Sequence, residues 1–398
     1  MRTNDNLSAA SERDVRKNGA QTDMPIPFID LAAQQKRLRP EIEARLNKVL
    51  DHGSYIMGAE VAELETAFCD RLQVKHTISC SSGTDALILG LMGLGVKPGD
   101  GVIVPSFTFA ASAEAIAVLG ATPVFAEVEA ATFNLDPDRL ADALAASQQA
   151  GLNMVGVIPV GLFGQPAALD RVLAFAQQNG LWMLDDAAQS FGAALSGKAV
   201  GTFGAATATS FFPAKPLGCY GDGGALFTDD DQLAAIAQSA RVHGQGADKY
   251  DNERIGMTAR LDTMQAAVLL AKLDIFDEEI IMRQQVADRY LDKLAGAGVI
   301  LPKLSTGATS SWAQYVIRLP KGTNRQAVQD RMKEDGVPTA VYYMRPMHMQ
   351  IPYARYPVAI GGLELTETMA ADVLALPMHP YLDSDTQDKV AKALKKAL

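Results

Sequence analysis

Thr209-Ser210-Phe211-Phe212-Pro213-Ala214-Lys215-Pro216-Leu217-Gly218-Cys219-Tyr220-Gly221-Asp222-Gly223-Gly224-Ala225-Leu226 is the stretch from which the rest of the chain can be read. A β-type run, Ala205 to Phe212, delivers one lysine into a turn, and four glycines follow between Gly218 and Gly224. No other Lys or Arg occurs from Ala199 to Ala240. A lysine held in poorly solvated surroundings loses its proton more easily. The neutral amine can then form a Schiff base with an aldehyde. The alternative is an ordinary solvated lysine on a turn, and the neighbouring segments have to decide between the two.

Upstream of this stretch, strand and helix patterns alternate. The sequence predicts strands at His76–Cys80, Gly101–Pro105, Thr122–Val128, Met154–Val160 and Leu181–Asp185. Helical periodicity falls between them, at Thr84–Leu94, Ala110–Leu119, Pro137–Ala150 and Ala167–Asn179. Such alternation predicts an α/β fold, a mostly parallel sheet covered by helices on both faces. Ligands of such sheets bind beyond the carboxyl ends of the strands, so the polar residues just after each strand carry the most information. After the first strand, Gly83-Thr84 opens a helix, where free N–H groups and the helix dipole favour a phosphate; a plain helix cap would look the same. After the second, Phe109 stands where a ring could stack on a planar ligand, or pack in the core. After the fifth come Asp185-Asp186-Ala187-Ala188-Gln189, and alternation turns Asp186 to the opposite face from Asp185.

Composition narrows the function classes. The chain has 398 residues, 48% of them hydrophobic, and a net charge of −10. That length suits a large domain with a smaller one and an ample core. The acidic balance argues against general nucleic-acid backbone binding. Apolar runs are broken by Gly, Pro or charge well before membrane-spanning length. Three cysteines, Cys69, Cys80 and Cys219, without CxxC, argue against a disulfide framework and fit a reducing, cytoplasmic setting. The histidines are isolated in sequence, so no metal site is expected. Residues 1–24 are polar, lack the apolar core of a secretory signal and read as a disordered tail, with Met24 an alternative start. Residues 25–275 form the expected large domain and 276–398 a smaller α+β unit. In that unit Trp312–Leu319 and Thr339–Met344 read as strands. Asn324–Asp335, Leu365–Ala375 and Thr386–Ala397 read as helices, the last capped by Ser384 or Asp385. Pro40–Leu50, Val61–Leu72, Thr263–Phe276 and Asp277–Leu294 read as further helices.

A phosphate cradle, a ring stacker, a carboxylate, the hydroxyl of Ser210 and Lys215 all fall at predicted carboxyl ends of one sheet. A planar, phosphorylated, aldehyde-bearing pyridine, pyridoxal 5′-phosphate (PLP), would use every one of them. Five motifs carry a more specific likeness: Gly83-Thr84-Asp85-Ala86-Leu87, Pro105-Ser106-Phe107-Thr108-Phe109, Asp185-Asp186-Ala187-Ala188-Gln189, Ser210-Phe211-Phe212-Pro213-Ala214-Lys215 with Gly221-Asp222-Gly223-Gly224, and Arg260-Leu261-Asp262. With them the chain, from about Phe28 to Leu398, resembles the DegT/DnrJ/StrS sugar aminotransferases, which have the aspartate-aminotransferase-like, fold type I architecture.

The resemblance implies that Lys215 bonds the cofactor and moves protons, and that Asp186 pairs with the pyridine nitrogen. It implies that Gln189 contacts the ring's phenolic oxygen, Phe109 stacks on the ring, and Gly83, Thr84 and Ser210 hold the phosphate. It places Arg260 where relatives reach into the partner subunit's site, and it implies a homodimer. Pro216 stands where many relatives have Asn. That variant, with Phe28-Ile29-Asp30-Leu31 and Gly53-Ser54-Tyr55-Ile56-Met57-Gly58, is most similar to the branch acting on UDP-2-acetamido-2-deoxy-3-oxo-glucuronate. Those enzymes aminate sugar C3 with L-glutamate as donor, in bacterial surface polysaccharide (lipopolysaccharide O-antigen) synthesis. Other UDP- or dTDP-ketosugars, and a non-catalytic PLP-binding regulator, stay as alternatives. A dehydratase of the same family would have histidine at Lys215. Tyr55, His243, Tyr315 and His348 are candidate substrate contacts, each with a core or loop reading beside it.

Overall fold

The computed structural model describes residues 25–248 and 250–398; the tail expected over residues 1–24 lies outside them. In chain order the strands are β1 (His76–Cys80), β2 (Asp100–Pro105), β3 (Thr122–Ala126), β4 (Asn153–Val157), β5 (Trp182–Asp186), β6 (Ala194–Leu195), β7 (Lys198–Ala199), β8 (Ala206–Ser210), β9 (Gly224–Thr228), β10 (Tyr315–Arg318) and β11 (Val373–Leu376). The helices are α1 (Leu31–His52), α2 (Ala59–Leu72), α3 (Gly83–Gly93), α4 (Ala110–Val118), α5 (Leu140–Gln149), α6 (Leu169–Gln178), α7 (Asp231–Ala240), α8 (Thr263–Leu273), α9 (Phe276–Lys293), α10 (Arg325–Glu334), α11 (Glu364–Asp372) and α12 (Ser384–Ala397).

Seven strands form one sheet in the order β1-β9-β8-β5-β4-β2-β3. Only β9 runs against the others, pairing antiparallel with both β1 and β8. The sheet is thus mostly parallel, as the alternation predicts. Helices cover both faces, and the central strands are accordingly buried along their length: Val102, Ile103 and Val104 of β2 have no exposed surface. The carboxyl ends of β1, β2, β5 and β8 open on one edge of the sheet, and each leads into a segment named above.

The C-terminal unit has its own core, built from Val286, Tyr290, Ile317, Met332, Leu374 and Leu394 among others. The segment between α10 and α11 does not stay with that core. Met347, Tyr353, Ala359 and Leu363 pack into the main core of the large sheet.

Four local expectations are corrected. Residues 339–344 form no strand beyond a single bridge, Ala340 to Ala375. The partner of β10 is β11, which follows α11 directly. All four β11 residues are buried on both faces, so no period of two or of 3.6 marks the switch from helix to strand. The helix read from Pro40 begins at Leu31, where Asp30 accepts from Ala33 N at 2.9 Å; Pro40 sits inside it. Asp383, not Ser384 or Asp385, caps α12, accepting from Thr386 N at 2.7 Å. No described helix is long and apolar enough to cross a membrane.

Candidate active site

The phosphate cradle is built by close approach. β1 ends at Cys80, and Ser82 caps α3 by accepting from Asp85 N at 3.0 Å. The first turn of α3 lies against the last residue of β8. A Cβ on Gly83 would stand 2.5 Å from Ser210 Cβ, so only glycine fits there. Gly224, opposite Ser210 in the β8–β9 ladder, is held equally tightly, its missing Cβ 2.3 Å from the Ser82 carbonyl oxygen. The result is a concavity with helix N–H groups on one side and a hydroxyl on the other, the arrangement that receives a phosphate. Gly83, Thr84 and Ser210 thus come together.

Asp186 ends β5 and is buried. Ser112 Oγ donates to it at 2.7 Å and Ala188 N at 3.1 Å. Burial raises its pKa, while these donors and the charge on Lys215 pull the other way. Asp185 points into the interior, with neither carboxylate oxygen bonded. Burial, with Asp186 next to it, drives that carboxyl well up. The pair therefore divides: Asp186 has donors and a facing cation and can carry charge, whereas Asp185 has neither.

Lys215 is half-buried in the loop between β8 and β9. Its N–H donates to Phe212 O at 2.8 Å, and the loop is closed by Phe211 N to Gly223 O at 2.7 Å and Cys219 N to Phe211 O at 2.8 Å. Burial lowers the ammonium to about 8, against the opposing charge of Asp186. That value permits a nucleophilic amine near neutral pH.

Phe109 precedes α4 and is 56% exposed, an unusual position for a phenylalanine that has a core available to it. Its ring lies 6.2 Å from that of Tyr343. Gln189 is buried; its Oε1 accepts from Phe163 N at 2.9 Å, and its Nε2 donates to Tyr343 OH at 3.1 Å. Arg260 stands just before α8 with its Nε buried and unbonded, a donor directed at nothing in this chain. A bridge between Ile56 and Asp262 brings Tyr55, 50% exposed, beside it.

The other candidate contacts separate. Tyr315 is a correction: it is 1% exposed in the C-terminal core, its ring 4.8 Å from Tyr290 and 5.7 Å from Trp312. As the first residue of β10 it alternates inward, and that burial removes it from substrate. His348 is partnered on both ring nitrogens, with Ser106 Oγ at 2.7 Å and Glu367 Oε1 at 3.3 Å, so it ties the turn after β2 to α11. His243 is exposed and meets Thr258 Oγ1 at 2.7 Å. Two residues escaped the sequence reading. Ser112, a polar residue in the apolar stretch of α4, was the visible signal for a partner of Asp186. Tyr343 had no comparable signal, because it sits in an irregular segment. Among the described residues no group of three or more His, Cys, Asp or Glu could hold a metal.

The cradle that a Cβ would fill, the buried carboxylate facing a lysine of lowered pKa and the exposed ring between them fit one cofactor, PLP. Fold and site define a PLP enzyme of fold type I. The model of the DegT/DnrJ/EryC1/StrS aminotransferase family matches residues 36–395, and the chain belongs to that family. It is 46% identical over 370 residues to the UDP-2-acetamido-2-deoxy-3-oxo-D-glucuronate aminotransferase of Pseudomonas aeruginosa, covering 93% of this chain and 99% of that one. Among solved structures, a DegT DnrJ EryC1 StrS aminotransferase from Brucella abortus superposes with a TM-score of 0.90 at 45% identity, over 93% of this chain and 99% of the other. NtdA from Bacillus subtilis, solved with bound cofactor PMP, gives 0.83 at 28% identity, over 94% and 85%.

Proposed function

We propose that the chain transfers the amino group of L-glutamate to carbon 3 of UDP-2-acetamido-2-deoxy-3-oxo-glucuronate, in the cytoplasm, for a bacterial surface polysaccharide. The observation that carries the chemistry is Lys215, brought to about pH 8 by burial and facing Asp186. The substrate rests on the likeness to the Pseudomonas enzyme. When bound, PLP supplies an electrophilic carbon and an electron sink. The residues of the chain then have distinct tasks. Asp186 keeps a carboxylate against the ring nitrogen, positioned by Ser112 and Ala188 N. Gly83, Thr84 and Ser210 hold the phosphate, and Phe109 covers the ring face. Gln189, fixed by Phe163 N and Tyr343, presents its amide to the ring edge. Lys215, released as a free amine, moves a proton at its Nζ between the donor and acceptor carbons.

The same reading makes the working unit a homodimer. Tyr55, Ile56, Met57 and Phe212 are each at least 41% exposed. The first three adjoin Arg260, whose Nε lacks a partner within the chain. A second copy laid over this face would cover the apolar side chains and give the arginine an acceptor. The test is a panel of UDP- and dTDP-ketosugars offered to PLP-loaded protein with L-glutamate, following 2-oxoglutarate. Turnover with the 3-oxo-glucuronate and not with 4-oxo sugars is expected. Preference for a 4-oxo or dTDP sugar would overturn the substrate. PLP that stays unconverted by glutamate would overturn the enzyme reading.

A further inference from the structure

A second buried lysine lies beneath the first. Lys272 is 1% exposed, near the end of α8. Its Nζ donates to Gly218 O at 2.5 Å and stands 4.3 Å from the centre of the Tyr220 ring. Gln265 lies seven residues earlier, two helical turns back on the same face. Its Oε1 accepts from Tyr220 N at 2.8 Å, and its Nε2 reaches Tyr220 O at 3.4 Å. Both side chains therefore grip the far half of the loop that carries Lys215. The loop in turn leaves room for them. A Cβ on Gly221 would meet Gln265 Nε2 at 2.9 Å, and one on Gly218 would meet Phe212 O and Pro213 O at 2.6 Å.

A buried ammonium is costly unless it does something that an apolar residue could not. We propose that Lys272 is a positioning residue, an ammonium strut from α8 that fixes residues 213–221 and so sets where Lys215 stands. The inference rests on the reading of Lys215 as the residue that bonds PLP and moves the proton. Lys272 itself is shielded by Gly218 and the Tyr220 ring and takes no part in bonding. A charge-assisted hydrogen bond combined with a cation–π contact holds a carbonyl more firmly than either one. Displacing a proton-moving group by an ångström can cost roughly a hundredfold in rate.

The test is Lys272→Met in the PLP-loaded enzyme, with Tyr220→Leu as a second variant that keeps the lysine but removes the ring. Hydrogen exchange by mass spectrometry reads the loop independently of activity. Exchange should rise about tenfold or more in peptides spanning 211–223 and stay unchanged in β1 and in α3. The glutamate half-reaction should slow by about 10- to 100-fold per bound PLP, with apparent glutamate affinity within about threefold. Tyr220→Leu should move both readouts the same way by a smaller factor. Unchanged loop exchange in either variant, or slowing fully accounted for by lost PLP, overturns the strut. Borohydride reduction of the wild type separates this from the reading beneath it. Label at Lys215 upholds that reading. Label at any other lysine overturns it while the exchange result still judges the strut, and label at Lys272 itself overturns both.

Discussion

Replacing Asp186 by asparagine removes the charge that holds the Lys215 ammonium up, so the amine should become more reactive while the enzyme becomes less active. In the wild type, burial lowers Lys215 to about 8 and Asp186 opposes it. At pH 7 a group of that pKa is neutral in roughly a tenth of molecules, against a few in ten thousand for an ordinary lysine. One partly solvated charge a few ångströms away contributes on the order of one pKa unit. Asp186→Asn should therefore bring Lys215 to about 7 and make about half of it neutral at pH 7. The assay is pulse labelling of the cofactor-free protein with acetic anhydride across pH 5 to 11, each lysine peptide being quantified by mass spectrometry. Lys272, also lowered to about 8 by burial but opposed by Glu279 and Cys219, is an internal reference that should not move. Turnover should fall at least about a hundredfold in the same variant, because a neutral amide cannot hold a proton on the ring nitrogen. A wild-type Lys215 midpoint near 10, or an upward shift in the variant, would refute the electrostatic argument.

Gly83→Ala drives a methyl group to 2.5 Å from Ser210 Cβ, so PLP affinity should fall at least about tenfold with the fold intact, as read by fluorescence titration. His379 is buried with both ring nitrogens unbonded, near Asp30, Arg283 and Asp383, and burial lowers it to about 4. Its unfolded value is higher, so the unfolded chain binds the extra proton first. Stability from this group is complete above about pH 6.5 and is lost as pH falls through about 4, up to about 3 kcal/mol. Urea midpoints at pH 7, 5 and 4 should show that loss, and His379→Leu should flatten it. Glu65→Gln leaves buried Arg241 without the carboxylate that meets its guanidinium at 2.5 Å, and should cost about 3 kcal/mol in denaturant unfolding.

What could be read in the sequence depended on whether a residue's role was local. Gly83, Asp186, Ser210 and Lys215 each follow a strand, so β-α alternation was enough to place them at one sheet edge. The antiparallel turn of β9 was implicit in the glycines that bring the chain back from Lys215. Tyr343 and Ser112 were hidden because their partners, Gln189 and Asp186, lie 154 and 74 residues away in the chain. Tyr315 failed for the opposite reason. A tyrosine in a strand is marked by hydroxyl and ring alike, and only the packing against Tyr290 and Trp312 says that the ring prevails. β11 was lost to helix because a strand buried on both faces has no alternation to display.

The loop that carries Lys215 leaves the sheet at Ser210 and rejoins it at Gly224, and these two residues are cross-strand partners. Its two seams are thus one pair, and each seam abuts α3's first turn, Ser210 at Gly83 and Gly224 at Ser82. Everything between is a cassette with a common entry and exit. Its interior can be exchanged, lengthened or shortened at low closure cost, provided the seams keep their fit. The reactive lysine could thus be redesigned as a module, with the phosphate cradle serving as the fixed frame into which it plugs.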